Sequence, residues 1–523
     1  MSWDKQIDEI HARRKLAKQQ GGSEAVTKHH EKGRLTIRER IDALLDKGSF
    51  NEVGEGAGVP EYDADGNLKD FQPANFILGF GEINGRKVIV GGEDFTVRGG
   101  SPNPAGLRKS VYTEKLALHY KLPLIRLHEG GGGSVGGTSN EKNRRPLGDP
   151  VFHESRFVPL AQTLSSVPVA TAALGPVAGL PAARLVASHF SVMTQNAAVL
   201  IAGPQVVKRA LGHDMTKEEL GGPEVHLASG AIDNVAIDEE DAMAQIARFL
   251  SFVPDNAWAF PDTLAPTDKI DRCEDMLATI VPTNRRQPFQ MRHIIEAIVD
   301  KDGDGSSFFE MSRKYGPSLI TGLARMNGEA VAIIGNDCMY YAGAMTAAAA
   351  QKLRRFIDFC NSFHLPVISF VDEPGFMIGP DSEKAGTIRH GTAAISAVLQ
   401  SRVPWASVQI LKAFGVAAQA HFGPDGYVLS WPSAASGALP VEGGVAVAFG
   451  REIAAAEDPA ARQKELEEML AAGQSPFPRA EGLSVHEIID PRETRPKLIS
   501  WLQLALGAYR SQTPQPYLTG MRP

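Results

Sequence analysis

Cysteine is scarce in this chain: Cys273, Cys338 and Cys360 are the only three among 523 residues, and they lie far apart. No CxxC pair offers a zinc or dithiol site and no even-numbered set offers a disulfide framework, which excludes small stapled secreted scaffolds and fits a reducing compartment. Positive charge is not in surplus either. Lysine and arginine total 54 against 61 acids, a formal charge of −7, and no basic run could track a phosphate backbone, so nucleic acid is not an expected partner. No segment approaches the roughly 18 uninterrupted apolar residues of a membrane helix, and the opening MSWDKQIDEIHARRKLAKQQ lacks the apolar stretch of a signal peptide. The expectation is an untargeted cytoplasmic protein with no membrane association. HExxH and P-loop signatures are also missing, so no metal is expected.

Hydrophobic residues make up 43% and charged residues 22%, ordinary values for globular proteins with buried cores. At this length two to four domains are expected by size alone.

The chain repeats itself. A shift of 243 residues lays NGRKVIVGGEDFTVRGG, from Asn84, on NGEAVAIIGNDCMYYAG, from Asn327, and it pairs Asp94 with Asp337, Gly100 with Gly343 and Lys109 with Lys352. Eleven of the 46 positions in this block are identical without a gap, where composition would give roughly three. A later block repeats at a slightly different offset, placing Val167-Pro168 on Val403-Pro404 and Gly179 on Gly415. Duplication therefore sets the architecture: an N-terminal domain over 1–260 and a C-terminal domain over 270–523, joined by the Pro-, Asp- and Thr-rich stretch Phe260 to Lys269. Short apolar runs such as KVIVGG, LPLIRL, VPVATAAL and LPVISFV read as buried strands, and LRKSVYTEKLALHY and AAQKLRRFIDFCNSF as helices between them. Strand–helix alternation predicts α/β layers with parallel pairing.

Four strands run straight into glycine-bearing turns, at Gly130 to Gly133, Gly175 to Leu180, Gly375 and Gly415. Ligands gather at the carboxyl ends of strands in such sheets. Glycine lets backbone amides approach a ligand closely, and amides freed at a helix start can hold an oxyanion without any catalytic side chain. Conventional constellations are weaker. Gly132-Gly133-Ser134-Val135-Gly136 matches GxSxG and Gly131 to Gly136 matches GxGxxG, both at a level that a chain with 52 glycines reaches by composition, so neither a Ser134 nucleophile nor a dinucleotide site is expected. His29-His30, Lys109 and Lys352 are expected on solvated helix faces.

Over nearly its whole length the chain resembles the carboxyltransferase (β) subunits of biotin-dependent acyl-CoA carboxylases of the propionyl-CoA and methylcrotonyl-CoA type. KHHEKGRLTIRERIDALLDKGSF, GEDFTVRGGS, FVDEPGFMIGPDSEKAGTIRHG, LKAFG, SWPSAASGALPVEGGVAV and IIDPRETRP carry the resemblance. It implies a pair of crotonase-like ββα-spiral domains and transfer of CO2 from carboxybiotin to the α-carbon, or a vinylogous γ-carbon, of an acyl-CoA. It further implies that the amides of Gly130 and Gly131 hold the thioester enolate and those of Val416 and Ala417 the biotin ureido oxygen. By the same resemblance Gly179, Leu180, Gly375 and Gly415 are expected to bind the cofactor, and Gln419 to line the acyl pocket. The base is then the biotin nitrogen itself, which agrees with the lack of a side-chain candidate. Biotin is expected on a partner subunit bearing biotin carboxylase and biotin carboxyl carrier domains, because no methionine–lysine–methionine attachment motif is present. A homo-oligomer, in the family a hexamer, is implied as well. Leu180 and Val416 stand where the family usually has glycine. The competing expectations are a biotin-dependent decarboxylase subunit, a crotonase-type hydratase or isomerase using Glu129, and a non-catalytic CoA-binding scaffold.

Overall fold

The computed structural model describes residues 2–132, 155–285, 287–303, 305–517 and 520–523. Ser134 and Gly133 to Gly136 of the glycine motifs lie outside the described residues. The chain forms two compact units, Met1–Ala259 with Pro516–Pro523, and Phe260–Gln515. Residues of the stretch expected as a linker bond within the second unit: Leu264 N donates to Gly328 O at 3.1 Å, and Asp268 pairs with Arg272 at 2.8 Å.

The first unit holds a mixed sheet in the order β1 (Asn51–Glu52), β2 (Phe76–Ile83), β3 (Arg86–Glu93), β4 (Leu124–Gly130), β5 (Val169–Ala178), β6 (Phe190–Thr194) and β7 (Asn234–Ala236), with Ala198–Leu200 pairing β5. The pairs β1/β2 and β2/β3 are antiparallel and all later pairs are parallel. The second unit repeats this order with β8 (Phe309–Met311), β9 (Leu319–Met326), β10 (Glu329–Asn336), β11 (Val367–Glu373), β12 (Trp405–Phe414), β13 (Tyr427–Ser430) and β14 (Glu487–Ile488). Register confirms the duplication: Ile89 faces Leu124, and Ala332 faces Val367, each 243 residues on. The parallel strands are buried along nearly their whole length, which is why they read as continuous apolar runs rather than alternating ones.

The equivalent helices Pro104–Tyr120 and Ala347–Ser362 start with a side-chain cap, whereas Leu180–Val186 starts from a glycine. In α1 (Pro104–Tyr120), Asn103 caps by accepting from Gly106 N at 2.6 Å, and Pro104 supplies the first helical residue without wasting a donor. In α2 (Leu180–Val186) the preceding residue is Gly179. In α3 (Ala347–Ser362), Thr346 at the position matching Asn103 accepts from Ala349 N at 3.1 Å.

Three residues expected on solvated faces are buried instead. Lys109 donates to Gly54 O at 3.2 Å and Lys352 to Leu319 O at 2.6 Å, each tying its helix to the chain beneath. His29 lies against Glu129. The charged letters around them suggested solvent; tertiary packing supplied acceptors that no helical periodicity reveals. Among the described residues no helix is long and apolar enough to cross a membrane, and no cluster of metal-ligating side chains occurs.

Candidate functional site

Each unit builds the same arrangement at the carboxyl ends of its central strands. In the first, β5 bulges opposite Glu129, where Ala173 to Val177 face only His128 to Gly130 of β4; in the second, β12 bulges opposite Asp372, where Gln409 to Ala413 face only Val371 to Glu373 of β11. The bulge twists the strand end and re-aims the residues after it. Beside each bulge stands a turn of three consecutive left-handed residues: Arg98, Gly99 and Gly100 at φ 56°, 60° and 69°, and Tyr341, Ala342 and Gly343 at 52°, 55° and 89°. Side chains seldom tolerate such a run, and strain of this kind collects at functional loops. Gly100 must be glycine, since a methyl there would fall 2.6 Å from Gly130 Cα and 2.7 Å from Glu129 O.

The third element is the turn into a helix. Gly179 adopts φ 67° and ψ −127°, and Gly415 adopts φ 64°. Leu180 and Val416, the residues that replace glycine, lie outside the left-handed region, Val416 at φ −67° and ψ −34°. Their side chains therefore strain nothing, and the left-handed work stays with the glycine before each. A methyl on Gly132 would lie 3.6 Å from the Gly179 backbone, so the strand end and the helix turn of the first unit face one another.

Amide bookkeeping separates the sequence-predicted residues. Gly131 N donates to Gly99 O at 3.0 Å, Gly375 N to Glu373 Oε1 at 3.0 Å and Gly415 N to Gly437 O at 3.0 Å. Gly130 lies within the sheet opposite Val177. The enolate role expected for the Gly130 and Gly131 amides therefore meets a competing acceptor: the left-handed turn directs the Gly99 carbonyl onto the Gly131 N–H. The amides of Leu180, Val416 and Ala417 meet no acceptor among the described residues, because they open a first helical turn whose carbonyl partners do not exist. Gln419 is exposed on the turn Ala417–His421 and donates its backbone amide to Val416 O at 3.1 Å.

Buried charge underlies both loops. Glu129 is fully buried, with Arg34 Nη1 2.9 Å from Oε1, Arg40 Nη2 2.7 Å from Oε2 and His29 Nε2 at 3.4 Å. Burial pushes its carboxyl up, but His29, Arg40 and Arg34 more than offset this and hold it below the usual range. A carboxylate so paired is a brace rather than the acid of a hydratase. Glu93, buried beneath Gly130, meets His128 Nδ1 at 3.1 Å and is likewise held low against the cost of burial. In the second unit Asp372 is fully buried beside Lys412 Nζ at 3.3 Å, and burial pushes it up to about 6 despite that lysine. Glu373 accepts from Asn336 Nδ2 at 3.0 Å and lies 3.4 Å from His421 Nε2. The sequence offered one signal for the first of these braces, the basic run KHHEKGRLTIRER, with nothing to say which acid it would reach.

Paired glycine-led loops at the strand ends of a duplicated α/β sheet, each with amides left over at a helix start, frame the candidate site of both units. Residues 28–517 match the carboxyl transferase domain, and the chain belongs to that family, as a carboxyltransferase of the biotin-dependent acyl-CoA carboxylase type. A propionyl-CoA carboxylase carboxyltransferase subunit of Haloferax mediterranei is 32% identical over 521 residues, 98% of each chain. The methylmalonyl-CoA carboxyltransferase 12S subunit of Propionibacterium freudenreichii subsp. shermanii is 33% identical over 505 residues, 95% of this chain and 94% of that one. A solved transcarboxylase 12S structure, described as a hexamer assembly with methylmalonyl-coenzyme A and methylmalonic acid bound, matches with a TM-score of 0.86 and 31% identity over 97% of both chains.

Proposed function

We propose that this protein carries the acyl half of the transfer on its first unit and the biotin half on its second. The thioester oxygen is held at the loop pair Gly130–Gly132 and Gly179–Leu180, with the Leu180 amide as the donor left unspent. The ureido oxygen of biotin is held by the amides of Val416 and Ala417, which open their turn with no internal acceptor. Biotin, when present, supplies both the carboxyl group and the base that removes the α-proton. The chain itself supplies placement and a fixed field of N–H dipoles for the enolate charge, a contribution of roughly 3–4 kcal/mol per donor. The observation that carries this reading is the recurrence, in both units, of a bulged strand end, a left-handed triple turn and a glycine-led helix start.

The acyl-CoA is a short-chain one of the propionyl or methylmalonyl class, as the relatives' names indicate, and the assembly is a hexamer. The biotin-bearing carrier and its carboxylase are separate polypeptides. The experiment is a reconstitution of the purified chain with a biotinylated carrier, biotin carboxylase, ATP, bicarbonate and a panel of acyl-CoAs, with products separated by mass. Carboxylated acyl-CoA is expected only when carrier and chain are both present. Carboxylation by the chain alone, or none with any acyl-CoA of the panel, overturns the proposal.

A further inference from the structure

The two units differ at a place that the transfer chemistry leaves unused. In the second unit the chain leaving β8 lies across α3: the Tyr315 hydroxyl donates to Gln351 Oε1 at 3.2 Å, and a methyl on Gly316 would fall 2.6 Å from Ala349 N. Tyr315 is half-buried there, a ring laid on the helix. In the first unit the chain leaving β1 continues after Gly54 into the hairpin formed by Gly58–Tyr62 and Leu68–Pro73, and does not lay a ring across α1 as the chain leaving β8 lays Tyr315 across α3.

A cavity of about 640 Å³ stands at that face, floored by Val53, Leu78, Leu107 and Val111. Its lining includes the cationic side chains Arg108, Lys115 and Arg156 and no carboxylate among the described residues; a fourth cation, Lys109, is turned to Gly54 O and to Glu52 Oε1 at 3.6 Å. At the constant spacing of 243, Gln351 of the second unit corresponds to Arg108 of the first, and Arg355 to Tyr112. The helix position that accepts a phenol hydroxyl in one half therefore presents a guanidinium in the other. Arg108 is exposed, and a second phenol, Tyr112, stands 48% exposed one turn along. Apolar floors with a few convergent polar groups are the usual build of small-molecule sites, and a guanidinium is the cation best matched to a carboxylate, sulfonate or phosphate.

We propose that this cavity of the first unit binds a small aromatic anion, its ring lying where Tyr315 lies in the second unit and its charge met by Arg108. The site is separate from the loops at Gly130 and Gly179 and is independent of the acyl-CoA reading above.

Titration of the full-length chain with 1-anilinonaphthalene-8-sulfonate, followed by fluorescence, tests it, with the uncharged N-phenyl-1-naphthylamine as the matched probe. One saturable site per chain is expected for the sulfonate. Arg108→Gln, which restores the residue of the other half, should weaken the sulfonate at least tenfold and leave the uncharged probe within about twofold. Val111→Trp, which fills the floor, should abolish the binding of both at unchanged circular dichroism. No saturable binding to the wild type, or binding of the sulfonate that neither variant alters, overturns the proposal.

Discussion

Glu129 and Asp372 face the bulge of the neighbouring strand at equivalent places, 243 positions apart and both fully buried, yet they lie on opposite sides of the ordinary carboxyl range. Their surroundings account for the difference. Three basic side chains converge on Glu129, whereas Asp372 has Lys412 alone, too little to offset removal from water. The duplication preserved the place of the acid and not its charge balance, which gives the two halves opposite responses to pH.

Replacing Glu129 with glutamine leaves Arg34 and Arg40 without their shared buried partner. A loss of about 3 kcal/mol in unfolding free energy is expected, in line with breaking buried pairs. Because the folded carboxyl is held low, its stabilisation is present above the ordinary carboxylate range and disappears on acidification through it. The wild-type advantage in urea unfolding should therefore shrink at low pH. Turnover per folded molecule should keep the shape of its pH profile, which a general acid at Glu129 would not allow.

For Asp372 the sign is reversed. A folded value of about 6 against an ordinary 3.8 means the native state binds the extra proton, so stability falls as pH rises between these values. The span corresponds to about 3 kcal/mol. Asp372→Asn should flatten this slope, gaining on the wild type by that amount between pH 4 and pH 7 in chemical denaturation.

Gly100→Ala drives a methyl into Gly130 Cα and Glu129 O at a left-handed position. Carboxyl transfer should fall on the order of 10²-fold with a stability loss of about 2–3 kcal/mol. Gly343→Ala meets its nearest atom, Asp372 O, at 2.9 Å and should act on the other half-reaction. Separate assays of acyl-CoA-dependent decarboxylation and of free-biotin carboxyl exchange read the two apart.

Leu180→Pro removes one N–H at the first helical position, where proline is otherwise welcome. If that amide holds the enolate, kcat should drop on the order of 10²-fold while KM for acyl-CoA and the melting temperature change little. Wild-type kcat would assign the enolate elsewhere in the loop.

Gln419→Ile tests the acyl pocket. Discrimination by a methylene is worth about 1–3 kcal/mol, so a shift in the ratio of kcat/KM for long and short acyl-CoAs is expected without loss of chemistry. An unchanged ratio would place the exposed Gln419 side chain outside the pocket.

The sequence by itself determined the duplication, and with it the α/β alternation and the equivalence of Gly100 with Gly343 and Gly179 with Gly415, because apolar runs buried on both faces and obligatory glycines leave their mark in one dimension. It also marked the loops at Gly130, Gly179, Gly375 and Gly415, the last three of which adopt positive φ. Only the tertiary structure decided which amides remain free. The Gly131 N–H goes to Gly99 O, a residue over thirty positions away whose carbonyl direction depends on a left-handed turn. It likewise decided that Lys109, Lys352 and His29 are buried and which acid the cations of the KHHEKGRLTIRER run embrace. Charge is legible in sequence, but the partner that makes burying it tolerable is fixed by the packing of segments distant in the chain.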